Sequence, residues 1–290
     1  MRNEEQVLKE IKTWVFASQN VRAAILTSSR ANPNAPTDLF SDYDIELIVS
    51  KREDFLINDE WLSALGEILS SYCEDSDEFS MRLVLFKDYV RIDFKVYERA
   101  YLERYKEQTE LPEHWDIGYK ILADKDSALS GFIRPSFTAF VISKPTEKEF
   151  LSVINEFWWD ATYVAKSLWR NEMLYAKYML DSVVRFTYLQ KMIEWHIGLA
   201  YHWRVSTNKH GRFFKKYLDC ENWEKLQATF AGLGIEENWN ALCATTKLFS
   251  QLAKAIAKEL DYSYPQKTDD EISAYLGKIR KLDKDAVDIK

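Results

Sequence analysis

The chain has 290 residues, of which 47% are hydrophobic and 14% aromatic, with only 8 glycines and 6 prolines. These values exclude a disordered or fibrous protein and allow either one large core or two smaller ones. The formal net charge of -7 disfavours nonspecific binding of nucleic acid through a basic face, and it is compatible with a cationic small-molecule partner.

The cysteines and the N-terminus bear on the cellular compartment. The cysteines are far apart in the sequence and form no CxxC pair, so neither a disulfide framework nor a zinc site is predicted. The opening MRNEEQVLKEIKTWVF carries acidic residues where a signal peptide needs a basic start, and no later segment has the apolar length of a membrane span. We therefore predict a cytoplasmic protein without a membrane partner.

The first third of the sequence predicts helices and strands in alternation. Apolar residues at helical spacing near the N-terminus predict an amphipathic helix: Val7, Ile11, Trp14 and Val15. The segment RAAIL predicts a short strand that ends between Thr27 and Arg30. After a proline-containing loop, DYDIELIVS alternates between apolar and acidic residues, which places Asp42, Asp44 and Glu46 on one face of a strand.

Three more elements are predicted before residue 98. Apolar residues between 61 and 72 predict a second helix: Trp61, Leu62, Leu65, Ile68, Leu69 and Tyr72. The segment MRLVLF predicts a strand. VRIDFKVY alternates again, so Asp93 lies on a polar face between Arg91 and Lys95, whose charges favour its carboxylate form.

Beyond Pro145 the sequence consists mainly of long, aromatic-rich segments with helical periodicity. The preceding DKDSALSGFIRPSF contains a glycine and a proline that break regular structure. We predict an α+β protein in two domains. Residues 1–145 form a mixed sheet flanked by helices, and residues 146–290 form an all-helical domain.

Residues 28–44 and Asp93 carry the strongest indication of chemistry. Asp42 and Asp44, at i and i+2 on a strand, point the same way, and a neighbouring strand can bring Asp93 beside them. Carboxylates in this arrangement suit Mg²⁺ bound to phosphate oxygens. Ser29 and Arg30 follow the preceding strand and can donate hydrogen bonds to a triphosphate. A D-x-D pair by itself is more often ordinary turn chemistry, and the combination with Ser29, Arg30 and Asp93 favours a nucleotide site.

The same residues resemble a known family. The pattern Gly-Ser-Arg, a loop, Asp-x-Asp on a strand and a later strand aspartate is typical of nucleotidyltransferases of the DNA polymerase beta type. The longer segments SRANPNAPTDLFSDYDI, RIDF, LADKDSAL, NEFWWDATYVAKSLWRNEMLYA, IEWHIGLA and ELDYSYP are similar to the aminoglycoside 6-adenylyltransferases that modify streptomycin. The resemblance runs from the first helix to about Pro265.

This resemblance implies transfer of AMP from ATP to a hydroxyl of a streptomycin-like aminoglycoside, which causes antibiotic resistance. Asp42 and Asp44 would bind Mg²⁺, and Ser29 and Arg30 would contact the triphosphate. Asp93 would lie beside the acceptor hydroxyl as a base, a metal ligand or both.

One residue departs from the family pattern, and one lysine matches it. Ser28 stands where the family usually has glycine, which tolerates a positive φ at little cost. Lys209 matches a family lysine that reaches the phosphates, although a solvent-exposed lysine would account for it equally well.

In the helical domain, Glu156, Trp159 and Asp160 lie in NEFWWD. Carboxylates and indole rings are good partners for the guanidinium groups of a streptomycin-like acceptor. Aromatic residues at helical spacing are more often core residues, so Trp158 and Trp159 have a second interpretation. The histidines have no spacing typical of metal ligands.

Three other functions remain open on the sequence alone. The same fold could act on a different small molecule or a protein, or it could bind nucleotide with weak catalysis because of Ser28. A glycosyltransferase that uses a D-x-D motif is least favoured, since it leaves Ser29, Arg30 and Asp93 unexplained. The sequence leaves the preferred nucleotide, the aminoglycoside and the oligomeric state undetermined.

Overall fold

A computed structural model describes residues 1–106 and 108–289. The chain forms two compact units, Met1–Ala139 and Phe140–Lys290, which divide slightly before the boundary predicted between residues 145 and 146. In the N-terminal unit the described residues form one six-stranded sheet in the order β3-β4-β5-β2-β1-β6. Its strands are β1 Val21–Thr27, β2 Tyr43–Val49, β3 Ile68–Asp75, β4 Phe79–Phe86, β5 Arg91–Glu98 and β6 Tyr119–Asp124.

The sheet is mixed because β2 and β5 run parallel, whereas the other neighbouring strands are antiparallel. Its α-helices in the described residues are α1 Glu4–Ala17, α2 Ser28–Ala31, α3 Asp54–Ile57, α4 Arg99–Lys106 and α5 Glu113–Asp116. Helix α1 packs Val7, Ile11 and Val15 against one face of the sheet, as its periodicity predicts. On the other face, Tyr101 and Trp115 pack over the central strands. The mixed sheet flanked by helices is therefore confirmed.

The prediction of a helix over residues 61–72 is wrong. A short 3₁₀ helix spans Glu60–Leu65, and strand β3 begins at Ile68. Gly66 separates them with φ of 144°, and a Cβ atom there would lie 2.9 Å from Phe86 Cδ1. Strand β3 is the sheet edge, and nearly all of its side chains are exposed, so its apolar residues are not a core-facing stripe.

The regular elements described in the C-terminal unit are helices, as predicted. They are α6 Glu147–Trp169, α7 Met173–Lys177, a π-helix Tyr178–Leu189, α8 Gln190–Ala200, a 3₁₀ helix Lys209–Gly211, α9 Phe214–Tyr217, α10 Cys220–Gln227, α11 Ile235–Leu260 and α12 Gln266–Lys281. Their core includes Phe157 stacked on Phe249, with ring centroids 3.6 Å apart. Throughout residues 1–106 and 108–289, none of the helices has the length and apolar composition that a bilayer-spanning segment needs.

A partly buried ion pair connects Arg2, near the start of the chain, to Asp88 in the turn between β4 and β5. The backbone N–H and Nε of Arg2 donate to Asp88 Oδ2 at 3.0 and 2.9 Å. Partial burial opposes the charge on Asp88, but the hydrogen bonds from Arg2 outweigh it and lower the pKa of Asp88 to about 2. The charged carboxylate therefore stabilises the folded protein.

We expect Asp88→Asn to lower the free energy of unfolding by about 1 kcal/mol at neutral pH, because a partly exposed ion pair is screened by solvent. Since the folded-state pKa is depressed, this contribution is complete above about pH 4 and is lost as the pH falls towards about 2. Denaturant unfolding of wild type and variant across that range measures it. A difference that stays constant as the pH falls would contradict the assignment.

Candidate active site

Two of the predicted site aspartates lie directly opposite each other on the parallel strands. Asp44 of β2 is in register with Asp93 of β5, and Asp42 immediately precedes β2. The alternation in each strand directs the apolar side chains to the core, so the aspartates lie on the other face. The structure therefore brings Asp44 and Asp93 together from segments far apart in the sequence.

The pKa of Asp44 is raised in this environment. Burial raises it first, and the negative charges of Asp93 and then Asp42 raise it further, to about 6. A hydrogen bond from the Ser28 side chain and the charge of Lys95 oppose the increase without cancelling it. Neighbouring carboxylates that repel each other in this way fit a hard divalent cation with oxygen ligands.

The predicted ligand set is not preassembled. Within the described parts of the chain, no three His, Cys, Asp or Glu side chains converge closely enough to hold a metal ion. One reason lies at Arg91, whose Nε and Nη2 donate to the two carboxylate oxygens of Asp93, both at 2.9 Å. The same Nε lies 3.6 Å from Asp42 Oδ1. Arg91 thus pairs with two of the three aspartates.

Ser28 has a strained backbone at the position where the resemblance implies a glycine. Its φ is 60°, in the left-handed region that favours glycine. The residue begins α2 at the end of β1, and its side chain hydrogen-bonds to Asp44. A backbone conformation of this kind costs a serine about 1 kcal/mol or more.

We expect Ser28→Gly to raise the free energy of unfolding and to leave catalytic activity equal or higher, because glycine adopts this φ without strain. Thermal unfolding and kcat/KM measure the two effects. Ser29→Gly is the matched control for stability, because Ser29 has no positive φ to relieve and should only lose stability. A large loss of activity in Ser28→Gly would show that the Ser28 hydroxyl has an essential role in placing Asp44.

Arg30 is bound to the loop that leads into β2. Its Nε and Nη2 donate to the Ser41 carbonyl at 3.2 and 2.7 Å, and Nε also donates to the Asp42 carbonyl at 3.1 Å. Its Nη1 donates to Glu4 at 2.7 Å, and the guanidinium lies 4.0 Å from the ring centroid of Tyr43. These contacts hold the backbone at Asp42, so Arg30 serves the loop in this structure.

Glu46, the third acid of the β2 face, is buried and not solvated. Trp115 Nε1 donates to its Oε2 at 2.6 Å, and its side chain is nearly inaccessible. Burial raises the pKa of Glu46 to about 7, although the Trp115 hydrogen bond and the charge of Lys95 oppose this. Sequence reasoning missed the Glu46–Trp115 contact because nothing in the sequence links residues so far apart.

In the C-terminal unit, Lys209 lies on a loop with unusual backbone geometry. The adjacent Asn208 and His210 have φ of 59° and 54°, and Gly211 has φ of 69°. The Lys209 side chain is exposed, with Nζ 5.6 Å from the ring centroid of Phe140, and it lines a cavity of about 270 Å³. An exposed ammonium group on a strained loop is available to an anionic ligand.

Glu156, Trp159 and Asp160 lie on one stretch of α6. Trp159 is 66% exposed, whereas its neighbour Trp158 is buried in the core. Ser152 Oγ donates to Glu156 Oε1 at 2.7 Å. The residues therefore form an acidic surface with an exposed indole ring.

Tyr188 is a buried residue next to this acidic surface that sequence reasoning missed. Its hydroxyl donates to Asp160 Oδ2 at 2.9 Å. Burial, followed by the contacts with Asp160 and Glu156, raises the pKa of Tyr188. Tyr188 lies in the π-helix, whose irregular turn the helical periodicity of the sequence did not reveal.

The chain is similar to proteins of one family along nearly its whole length. The profile of the family described as "Streptomycin adenylyltransferase" matches residues 1–279. An aminoglycoside 6-adenylyltransferase of Bacillus subtilis (strain 168) is 34% identical over 273 residues, covering 91% of this chain and 94% of that protein. One from Campylobacter jejuni is 32% identical over 288 residues, covering 97% of each.

Among solved structures, an aminoglycoside 6-adenyltransferase from Bacillus subtilis is 28% identical, covers 97% of this chain and 99% of its own, and has a TM-score of 0.48. The family match spans both compact units and includes each of the site residues described above. The chain therefore belongs to the streptomycin adenylyltransferase family.

Proposed function

We propose that this protein is a nucleotidyltransferase that transfers AMP from ATP to a hydroxyl of a streptomycin-like aminoglycoside. The acceptor oxygen bonds to the α-phosphorus, the bond to the bridging oxygen breaks, and pyrophosphate leaves with that electron pair. The observation that carries the proposal is the register of Asp44 with Asp93 in a chain whose family match extends over residues 1–279. Modification of the antibiotic in this way would give resistance.

Asp42, Asp44 and Asp93 are the residues that would hold Mg²⁺. The fit rests on the register that places Asp44 opposite Asp93. It also rests on the pKa of Asp44, which burial raises first and the charges of the two other aspartates raise further. Such repulsion is relieved when a cation lies among the carboxylates. When bound, Mg²⁺ would neutralise phosphate charge and lower the pKa of the acceptor hydroxyl.

Asp93 is the proposed proton acceptor. The attacking hydroxyl must lose its proton as the new bond forms, and a carboxylate within hydrogen-bond reach can take it. Asp93 is only 17% exposed and lies beside Asp44, so it is held in a defined position at the polar face of the sheet. It then releases the proton to solvent.

Ser29 and Lys209 are proposed to bind the triphosphate through a hydroxyl and an ammonium group. Direct contact of Arg30 with phosphate stays a prediction, since its guanidinium binds loop carbonyls. We propose that Arg30 acts by holding the backbone at Asp42. In this role, Arg30 stabilises the backbone of the D-x-D segment without contacting the nucleotide.

Glu156, Trp159 and Asp160 are proposed to recognise the acceptor. Streptomycin-like molecules carry guanidinium groups, which pair with carboxylates and stack on indole rings. The exposed ring of Trp159 beside two carboxylates offers both interactions on one surface.

The test is release of pyrophosphate by the purified protein with Mg²⁺ and ATP, or GTP, against a panel of aminoglycosides. We expect turnover with streptomycin and a product heavier by one AMP group. Turnover with a non-aminoglycoside hydroxyl compound alone would favour a different acceptor. ATP binding without pyrophosphate release for any acceptor would favour a weak or inactive homologue, the alternative that the strain at Ser28 supports.

A further inference from the structure

Arg91 pairs with two of the carboxylates that are proposed to hold the cation. Its planar guanidinium uses both oxygens of Asp93 and approaches Asp42. Arg91 is therefore a counter-ion for two of the three proposed ligands, Asp93 and Asp42.

This pairing competes with metal binding. The guanidinium fork uses one lone pair on each Asp93 oxygen, which leaves fewer lone pairs on that carboxylate for a divalent cation. A guanidinium close to a divalent cation also repels it. For the three carboxylates to bind metal together, Arg91 therefore moves away from Asp93.

Arg91 is able to move and has a natural second partner. Its side chain is 46% exposed, so rotation towards solvent leaves no cavity in the core. A guanidinium group pairs with two phosphate oxygens in the same bidentate way in which it pairs with the two oxygens of a carboxylate. Mg·ATP brings the competing cation and the new anionic partner at the same time.

We propose that Arg91 is a positioning residue that exchanges partners: it holds Asp93 in the nucleotide-free protein and moves to the triphosphate when Mg·ATP binds. This inference rests on the proposed function. It makes metal binding weak without nucleotide and couples the binding of metal and nucleotide to each other. The protein thereby avoids holding a divalent cation when no ATP is present.

The test measures binding directly, with Mn²⁺ as the probe for the metal. For Arg91→Gln without nucleotide, we expect Mn²⁺ to bind at least about tenfold more tightly than in wild type, by electron paramagnetic resonance or calorimetry. The same variant should bind Mg·ATP at least about tenfold more weakly. The two affinities should change in opposite directions.

Two further variants sharpen the test. Arg91→Lys keeps the charge without the fork, so its loss of Mg·ATP affinity should be smaller than that of Arg91→Gln. Arg104→Gln is the matched control, because Arg104 is 55% exposed and pairs with Glu78. It should change neither affinity.

Unchanged or weaker Mn²⁺ binding in Arg91→Gln would overturn the proposal, and so would unchanged Mg·ATP binding. Neither measurement needs an aminoglycoside or turnover. If no aminoglycoside is adenylylated but wild type binds Mg·ATP, the proposed acceptor fails while the Arg91 exchange is still tested by the two affinities.

Discussion

Asp44→Asn should abolish AMP transfer while the protein stays folded. The substitution removes a proposed metal ligand without changing side-chain volume. It also removes a charge whose burial, together with the repulsion from Asp93 and Asp42, raises the pKa of Asp44 to about 6. We therefore expect the thermal stability of Asp44→Asn to equal or exceed that of wild type. In that case, the Asp44 carboxylate serves function at the expense of stability. Pyrophosphate release and thermal unfolding measure the two results.

Asp126→Asn is the matched control for Asp44→Asn. Asp126 pairs with Arg22 in the same unit and has no proposed part in the site. This control should keep its activity, and Asp42→Asn should lose activity as Asp44→Asn does. Turnover near the wild-type rate in Asp44→Asn would remove the metal assignment from Asp44.

Asp93→Asn should lower kcat by at least about 10²-fold, the low end of the effect of losing a general base. Mg·ATP affinity should change much less, because Asp42 and Asp44 remain and Arg91 is released from its carboxylate partner. Single-turnover rates and equilibrium binding of Mg·ATP separate chemistry from binding.

Asp93→Glu is the companion variant, since it keeps a carboxylate that can accept the proton. It should recover part of the activity that Asp93→Asn loses. If Mg·ATP binding collapses together with turnover in Asp93→Asn, Asp93 is mainly a metal ligand and another group accepts the proton.

The local sequence pattern was sufficient to predict secondary structure where one face of an element is buried. The alternation in residues 43–49 and 90–97 correctly predicted strands whose apolar faces are in the core. The same reasoning failed at residues 68–72, where Leu69 and Tyr72 are more than half exposed on an edge strand. Periodicity indicates secondary structure only when burial selects the apolar positions, and at a sheet edge burial does not select them.

The two tryptophans of NEFWWD show the same limit in the helical unit. The sequence left both a core and a ligand-binding interpretation for each ring. Packing of α6 settled their exposure, since Trp158 is buried and Trp159 is 66% exposed. The hydroxyl of Tyr188 donates a hydrogen bond to Asp160. Tyr188 lies in the π-helix, whose turn shifts side chains away from the positions of a regular helix.

The sequence by itself determined the residue types of the site, its family resemblance, and the strand faces on which Asp44 and Asp93 lie. Only the tertiary structure decided that these two aspartates are opposite each other, that Arg91 pairs with Asp93, and that Ser28 is strained beside Asp44. The physical reason is that alternation fixes the face of a strand, whereas register depends on backbone hydrogen bonds between strands β2 and β5, which are far apart in the chain.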